Sequence, residues 1–545
     1  MTDLFSLTLN PRQLCDIELL LNGGFAPLSG FMGKKDYDSV CKHMRLDSGE
    51  LWPMPITLDI DDKTADQVIE GAEIALCDRE GITIAVLLVQ SKWIPDKVFE
   101  AISIYGTQDT LHPGVDYLLH QTGSYYIGGK LRKIQLPIHY DFVQYRYTPE
   151  SLKELFIQNG WKNIVAFQTR NPLHRAHFEL MCQAMQDEGA NLLLQPVVGM
   201  TKPGDINYHT RTRCYEKIIH HFPPSSAMLS LLPLAMRMAG PKEALWHAII
   251  RKNYGATSFI VGRDHAGPGN NVNGNPFYDP YEAQKLTNKY AAEIGIKIIT
   301  FNEFVYVENQ DKYLPLDKVI PEDKVLNISG TEFRRMLRHN IDIPAWFSYP
   351  EIIGELKKSF PPKHKQGLTV FFTGLSGAGK STIANALMIK LLESVDRPIT
   401  LLDGDLVRKN LSSELGFSKE HRDINILRIG YVASEITKHR GIAICAPIAP
   451  YTTTRRTVRT QVEEHGSFIE VYISTPIDIC EKRDRKGLYK KARLGLIKDF
   501  TGIDDPYEVP INPEITINTA KYDVHEAVNK IMLKLMELGC IRPFS

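Results

Sequence analysis

The stretch Gly374-Leu-Ser-Gly-Ala-Gly-Lys-Ser-Thr382 has the spacing of a phosphate cradle, GxxxxGK[ST]. Glycines there let backbone N–H groups converge on an anion. Lys380 reaches the outer phosphates, and the Ser381 hydroxyl can bind Mg²⁺ brought in with ATP. Such a cradle needs a strand before it and a helix after it. The apolar run Leu368–Thr373 predicts the strand, and 381–393 predicts the helix. The motif begins only at position 374 of 545, so the long region before it should hold a second activity.

That region contains three polar segments suited to anions. Gln168-Thr-Arg-Asn-Pro-Leu-His-Arg-Ala-His177 follows a predicted strand, 163–169, and opens a predicted helix, 174–188. His174 and His177 are three apart, which predicts that they share one helix face, with Pro172 near the helix start. Two imidazoles there could steady charge on a departing phosphate chain. A lone HxxH is more often a surface or metal-ligand pair. Gly262-Arg-Asp-His-Ala-Gly-Pro268 and Ile328-Ser-Gly-Thr-Glu-Phe-Arg334 strengthen the anion reading, because each is again polar and sits at an element end. Ser329 or Thr331 is the expected cap of the helix that follows.

Beyond the cradle, Leu402-Asp-Gly-Asp-Leu-Val-Arg408 places Asp403 or Asp405 near phosphates. Phe417 to Asn425 offers an aromatic ring with Arg422 and Asn425, and Ala446-Pro-Ile-Ala-Pro-Tyr451 follows a predicted strand, 442–445. The basic residues from Lys486 to Arg493, with Ile497 to Ile503, suggest a mobile lid, since Gly487 and Gly495 interrupt any helix. A solvated helix face is the ordinary reading of an isolated basic run.

The positioning elements alternate. Predicted strands at 163–169, 191–198, 227–232, 258–261 and 297–301 are separated by helices, as are those at 368–373, 399–402, 442–445 and 468–473. Alternation predicts two mainly parallel, doubly wound sheets. Residues 1–145 are mixed, with strands expected at 51–60 and 82–90. A short helix is expected from Pro350, then an exposed stretch, 361–367. Hydrophobic residues make 43% and charged residues 23%, an ordinary globular balance. Lys+Arg and Asp+Glu both number 64, which argues against nucleic acid or an anionic membrane as partner. Eight scattered cysteines without a CxxC pair argue against structural zinc and a disulfide framework, and suit a reducing compartment. No apolar run approaches the ~20 residues of a membrane span, and no signal segment is visible.

The segments Gln168–His177, Gly262–Pro268 and Ile328–Arg334 closely resemble the signatures of ATP sulfurylase (sulfate adenylyltransferase). Leu14–Phe25, Pro27–Met32 and His112–Val115 extend that resemblance over about 1–350. It implies a β-rich PUA-like domain (1–145) and a Rossmann-like nucleotidylyltransferase domain with a small helical part (146–350). It further implies that Gln168, Arg170 and Ala266 contact sulfate. Gln168, Thr169, Arg170, Asn171, Gly262, Arg263, Asp264, His265 and Val305 would contact ATP. Thr169, Arg170 and Asn171 occupy active positions, and His174 and His177 stabilise the transition state. The later segments resemble adenylylsulfate (APS) kinase over 367–545, a P-loop domain after a linker at 351–366. There Gly374, Leu375, Ser376, Gly377, Ala378, Gly379, Lys380, Ser381 and Thr382 would hold ATP with Mg²⁺. Lys380 is catalytic, and Asp405 is the base or metal-organising carboxylate. Asp405, Arg408, Phe417, Arg422, Asn425, Ile448, Lys486 and Phe500 would hold adenylylsulfate.

The implied function is sulfate activation by a multidomain α/β enzyme. Sulfate and ATP give adenylylsulfate and diphosphate, and a second ATP gives 3′-phosphoadenylyl sulfate. The sulfurylase-first order resembles bacterial fusions. The family implies a cytoplasmic homo-oligomer, a dimer or a hexamer. Three departures bear on the second step. Ala449 stands where many kinases carry a phosphorylatable serine, His421 replaces an Asp, and Leu427 replaces the first of two arginines, leaving Arg428. They leave open a non-catalytic kinase-like domain that only senses adenylylsulfate or its 3′-phosphorylated product. The upstream segments would also suit a different nucleotidyltransferase, or a sulfurylase running toward ATP.

Overall fold

The computed structural model describes residues 4–416 and 418–542, without the side chains of Arg338 and Asp405. The chain forms two compact units: Met1–Phe333 with Ile343–Ser359, and Arg334–Asp342 with Phe360–Ser545.

The first unit opens with a five-stranded sheet. Its strands are β1 (Phe5–Thr8), β2 (Leu58–Ile60), β3 (Glu73–Cys77), β4 (Thr83–Trp93) and β5 (Tyr125–Lys133), in the order β1-β3-β4-β5-β2. All neighbours are antiparallel except β1 and β3. The expected strand at 51–60 shrinks to Leu58–Ile60, and Leu51 makes only an isolated bridge to Arg45. Pro53 and Pro55 explain the loss, because neither can donate to a ladder. Phe25 packs between Trp52 and Trp246, with ring centroids 5.8 and 5.1 Å away. The first family-like segment is therefore part of the core beneath the next sheet.

That second sheet holds β6 (Ile164–Phe167), β7 (Asn191–Leu194), β8 (Ala227–Leu229), β9 (Ser258–Val261) and β10 (Lys297–Thr300). Its order is β10-β9-β6-β7-β8, and every pairing is parallel. The strand order reverses between β6 and β9. Open parallel sheets bind ligands at such a reversal, beyond the carboxyl ends of the strands. A small antiparallel sheet follows, made of β11 (Phe304–Val307), β12 (Lys312–Pro315) and β13 (Val325–Leu326). The helix Pro350–Ser359 returns to the first unit, where Glu355 bonds Arg213 at 3.0 Å.

The second unit is built on β14 (Gly367–Thr373), β15 (Ile399–Asp403), β16 (Ile442–Ala446), β17 (Gly466–Ile473) and β18 (Ile515–Ile517). They form a parallel sheet in the order β15-β16-β14-β17-β18. Strand β14 is central and wholly buried. Its C-terminal end feeds the glycine-rich turn. The helix expected between β15 and β16 is long, Lys419–Lys438, and starts under a Ser418 cap. No helix among the described residues is long and apolar enough to cross a membrane.

Candidate active sites

In the first unit, β6 delivers Gln168–His174 and β9 delivers Gly262–Pro268, on the two sides of the strand-order reversal. One side chain joins them: Arg170 Nη2 donates to the Gly267 carbonyl at 3.3 Å. Thr169 Oγ1 donates to the Asn171 carbonyl (3.1 Å) and accepts the Asn171 N–H (3.0 Å), so the turn is self-braced. Tyr215 bonds the same carbonyl at 2.8 Å. Asp264 and Ala266 have φ of 52° and 57°, an αL pair that makes the second loop turn sharply. Asp264 folds its carboxylate over Gly267, where a β-carbon would lie 1.9 Å from Oδ1 and would push that side chain aside.

The third segment also arrives. Phe333 sits edge-on to the His174 ring, with centroids 4.8 Å apart, and Ser329 caps its helix by accepting the Glu332 N–H at 3.1 Å. His174 differs from expectation. It is the extended N-cap residue (φ −118°) of the helix Arg175–Glu188, not a member of its face, and Pro172 lies in the loop before it. The two rings nevertheless stand 6.3 Å apart. His174 Nδ1 is 2.9 Å from Ser348 Oγ, and its backbone N–H donates to His177 Nδ1 at 3.3 Å. That bond leaves the His177 proton on Nε2, ready to donate outward. Desolvation pushes His174 down to about 3, helped by His177, and His177 down to about 4. Both rings are therefore neutral near pH 7.

The remaining expected residues are close in sequence but turned variously. Gln168 is buried, with its amide 3.8 Å from the Met236 sulfur. His265 Nε2 stands 3.0 Å from Nδ1 of the buried His247, and burial holds His265 well below the usual imidazole range. Arg263 reaches Glu303 at 3.4 Å, two residues before the buried Val305 on β11. Four site neighbours escaped sequence reading: Asp205, Ser348, His247 and Met236. Asp205, inside Thr-Lys-Pro-Gly-Asp after β7, sits in a polar loop at a strand end, the one signal that could have marked it.

In the second unit the cradle has the backbone its glycines allow. Gly374, Gly377 and Gly379 have φ of 145°, 72° and 106°. At Gly374 a β-carbon would lie 2.5 Å from the Ile473 carbonyl oxygen. Gly379 N-caps the helix Lys380–Leu392, so the positive end of that helix faces the turn. Lys380 is buried and donates to the carbonyls of Gly374 (2.9 Å) and Leu375 (2.8 Å). Ser381 and Thr382 are exposed at the helix start. Ile448 accepts from Thr373 Oγ1 at 2.7 Å, which ties the 446–451 loop to the end of β14.

The basic segment is helical only between Gly487 and Gly495, and it is tied down at several points. Leu488–Arg493 is a helix, and Tyr489 OH donates to the Ser376 carbonyl at 2.9 Å. Phe500 stacks edge-on against Tyr489 at 5.0 Å. Arg422 pins the turn beyond it, donating to Asp499 O and Thr501 Oγ1 (both 2.9 Å) and pairing with Asp505 at 3.0 Å. Asn425 is buried, and its Oδ1 has no hydrogen-bond partner among the described residues. Arg408 binds the carbonyls of Leu415 and Gly416 at 3.0 and 2.9 Å. His421 accepts the Gly416 N–H at 2.9 Å, so it braces the same turn. Leu427 is exposed, and Arg428 turns to Glu414 at 2.6 Å. Lys486 is exposed. Phe417 and the Asp405 carboxylate lie outside the described residues.

These two sites define the class: a nucleotide-handling α/β unit with a sheet-reversal cleft, followed by a P-loop kinase unit. Three family models match in the same order. They are a PUA-like domain over 1–136, ATP-sulfurylase over 143–359, and adenylylsulphate kinase over 366–518. A sulfate adenylyltransferase of Phaeosphaeria nodorum is 51% identical over 98% of this chain and 94% of its own length. That of Neurospora crassa is 48% identical over 99% and 94%. A structure described as hexameric APS kinase from Thiobacillus denitrificans is 39% identical with a TM-score of 0.82, covering 99% of this chain and 94% of its own. The chain belongs to the sulfate adenylyltransferase family and is a bifunctional ATP sulfurylase and APS kinase, which activates sulfate to adenylylsulfate and then to 3′-phosphoadenylyl sulfate.

Proposed function

We propose that the cleft between β6 and β9 joins sulfate to the α-phosphorus of ATP, and that the β14 cradle phosphorylates the product's 3′-hydroxyl. The carrying observation is Arg170, whose guanidinium bridges the two loops at the strand-order reversal. In the first step a sulfate oxygen forms a bond to the α-phosphorus. The bond to the bridging oxygen breaks, and its electron pair leaves with diphosphate. Sulfate has no proton to lose, so no base is needed. Orientation by Gln168, Thr169, Arg170, Asn171 and Ala266, with neutral His174 and His177 donating to the departing phosphates, is the chemistry required. Gly262–His265 and Val305 complete the nucleotide wall.

In the second step the 3′-oxygen attacks the γ-phosphorus and ADP leaves. Residues Gly374–Thr382 hold the phosphates, with Lys380 on the outer ones. Asp405 takes the hydroxyl proton or orders the metal. Arg408, Phe417, Arg422, Asn425, Ile448, Lys486 and Phe500 hold adenylylsulfate. The unpaired Asn425 Oδ1 supports a ligand donor there. An exposed Ser381 hydroxyl beside phosphates suits Mg²⁺, which is bound largely by phosphate and water. When bound, Mg²⁺ neutralises charge on the transferring phosphates. Ala449 is buried and has no side-chain oxygen to carry a phosphate, which favours direct transfer. Eight free cysteines suit the cytoplasm, and the TM-score of 0.82 to a structure described as hexameric supports a homo-oligomer. We place the domain boundaries near 145 and 360, with Pro350–Ser359 counted to the sulfurylase.

Separate assays of the half-reactions test this. His177→Ala should lower sulfate-dependent diphosphate release by about a hundredfold or more while sparing the kinase. Lys380→Ala should do the reverse. Loss of both activities in either variant would sink the two-site assignment.

A further inference from the structure

Arg170 is already engaged. Its Nη1 lies 2.6 and 2.7 Å from the two carboxylate oxygens of Asp205. Both side chains are largely out of water, 13% and 8% exposed. Asp205 comes from the loop between β7 and the helix Tyr208–Ile219, on a turn closed by Asp205 N–H to the Lys202 carbonyl at 3.3 Å, with Gly204 at φ 85°. A carboxylate offers a guanidinium two charged oxygens on one side. So does a tetrahedral oxyanion such as sulfate.

We infer that Asp205 is an internal stand-in for the oxyanion. It occupies Arg170 before substrate arrives and must be displaced when sulfate enters. This rests on the reading of Arg170 as a sulfate contact. A cation withdrawn from water needs a counter-charge, and Asp205 supplies it. The apparent affinity of any oxyanion is then its intrinsic affinity reduced by the fraction of molecules in which Arg170 is free. That reduction is common to all anions using Arg170, whatever their charge. Asp205 thus sets how much sulfate the enzyme needs, and keeps weak anions from filling the cleft.

The test uses the full chain loaded with the α,β-methylene analogue of ATP, whose reacting bond cannot break. Dissociation constants for sulfate and for perchlorate, a tetrahedral anion of single charge, are measured by calorimetry. In Asp205→Asn both should tighten, about tenfold for loss of a charge-assisted pair, with sulfate gaining at least as much as perchlorate because it carries more charge. Asp205→Ser should do the same, and serves if the first variant folds poorly. Unchanged or weaker binding of both anions would make Asp205 a mere brace and overturn the proposal. Tightening of sulfate with no change for perchlorate would mean that Asp205 merely repels the dianion, which also overturns it. Arg170→Ala separates the underlying reading. If that variant still binds sulfate as wild type does, Arg170 is no sulfate contact, whatever Asp205 does.

Discussion

Nucleotide binding to the β14 cradle should take up a proton in mildly alkaline solution. Burial pushes Lys380 down from 10.5 to about 8, against the opposing pull of Cys480 and Asp403 and with a small push from Lys486. The carbonyls it donates to are neutral and cannot restore the charge. An arriving phosphate chain can. If the complex returns the lysine to its ordinary range, about half a proton is taken up per nucleotide at pH 8 and about 0.9 at pH 9. The sign follows from the charged form being the binding form. Affinity is full below pH 7 and falls as pH rises through the free-state value, by about tenfold between pH 7 and 9. The assay is calorimetry with a non-hydrolysable ATP analogue in buffers of different ionisation heat. Subtracting a Lys380→Met variant removes the sulfurylase site's share. No uptake in the wild type at pH 8–9, or the same uptake in the variant, would refute the reasoning.

Two further outcomes follow from the geometry. Because His174 and His177 are already neutral, with values near 3 and 4, sulfurylase kcat/KM should show no His177-dependent ionisation between pH 5.5 and 7.5, checked by comparing wild-type and His177→Gln profiles. Gly374→Ala should lower the stability of the kinase unit by about 1–3 kcal/mol and abolish its turnover while diphosphate release persists, read by calorimetric melting and the two half-assays.

The loops were legible because each carries its chemistry in one contiguous stretch. Gln168–His177 and Gly374–Thr382 state strand end, turn and helix start within ten residues. Parallel topology was legible too, since strand and helix periods alternate. What sequence could not show were partners brought in from afar. Ser348 meets His174 across 174 positions, and Asp205 meets Arg170 across 35. The start of the HxxH helix was misjudged by one residue, because histidine is no usual N-cap. Composition also left the anchoring of the basic segment unseen. Lys486, Lys490, Lys491 and Arg493 dominate the composition, yet Asp504 and Asp505 fix the turn by accepting from backbone and from Arg422. The strands β11–β13 are short and partly exposed, so no clean period marked them.

Three cations expected to meet substrate anions are each engaged by the protein itself, and the kind of partner differs. Arg170 holds a carboxylate by both oxygens. Arg422 shares a carboxylate with Tyr451, whose hydroxyl lies 2.9 Å from both Asp505 oxygens. Lys380 holds carbonyl dipoles. Under the proposed site roles, the exchange each substrate must make is therefore graded. Nucleotide phosphates at the cradle displace dipoles, and gain a charge that burial had weakened. Adenylylsulfate at Arg422 displaces one shared carboxylate. Sulfate at Arg170 displaces a two-oxygen one, so its binding is discounted most. A small inorganic ion offers few other contacts to offset that discount, whereas ATP brings a base, a ribose and three phosphates. Under these roles sulfate should be the substrate whose apparent affinity gains most when the internal partner of its cation is removed, because Arg170 gives up a charged carboxylate where Lys380 gives up only carbonyl dipoles.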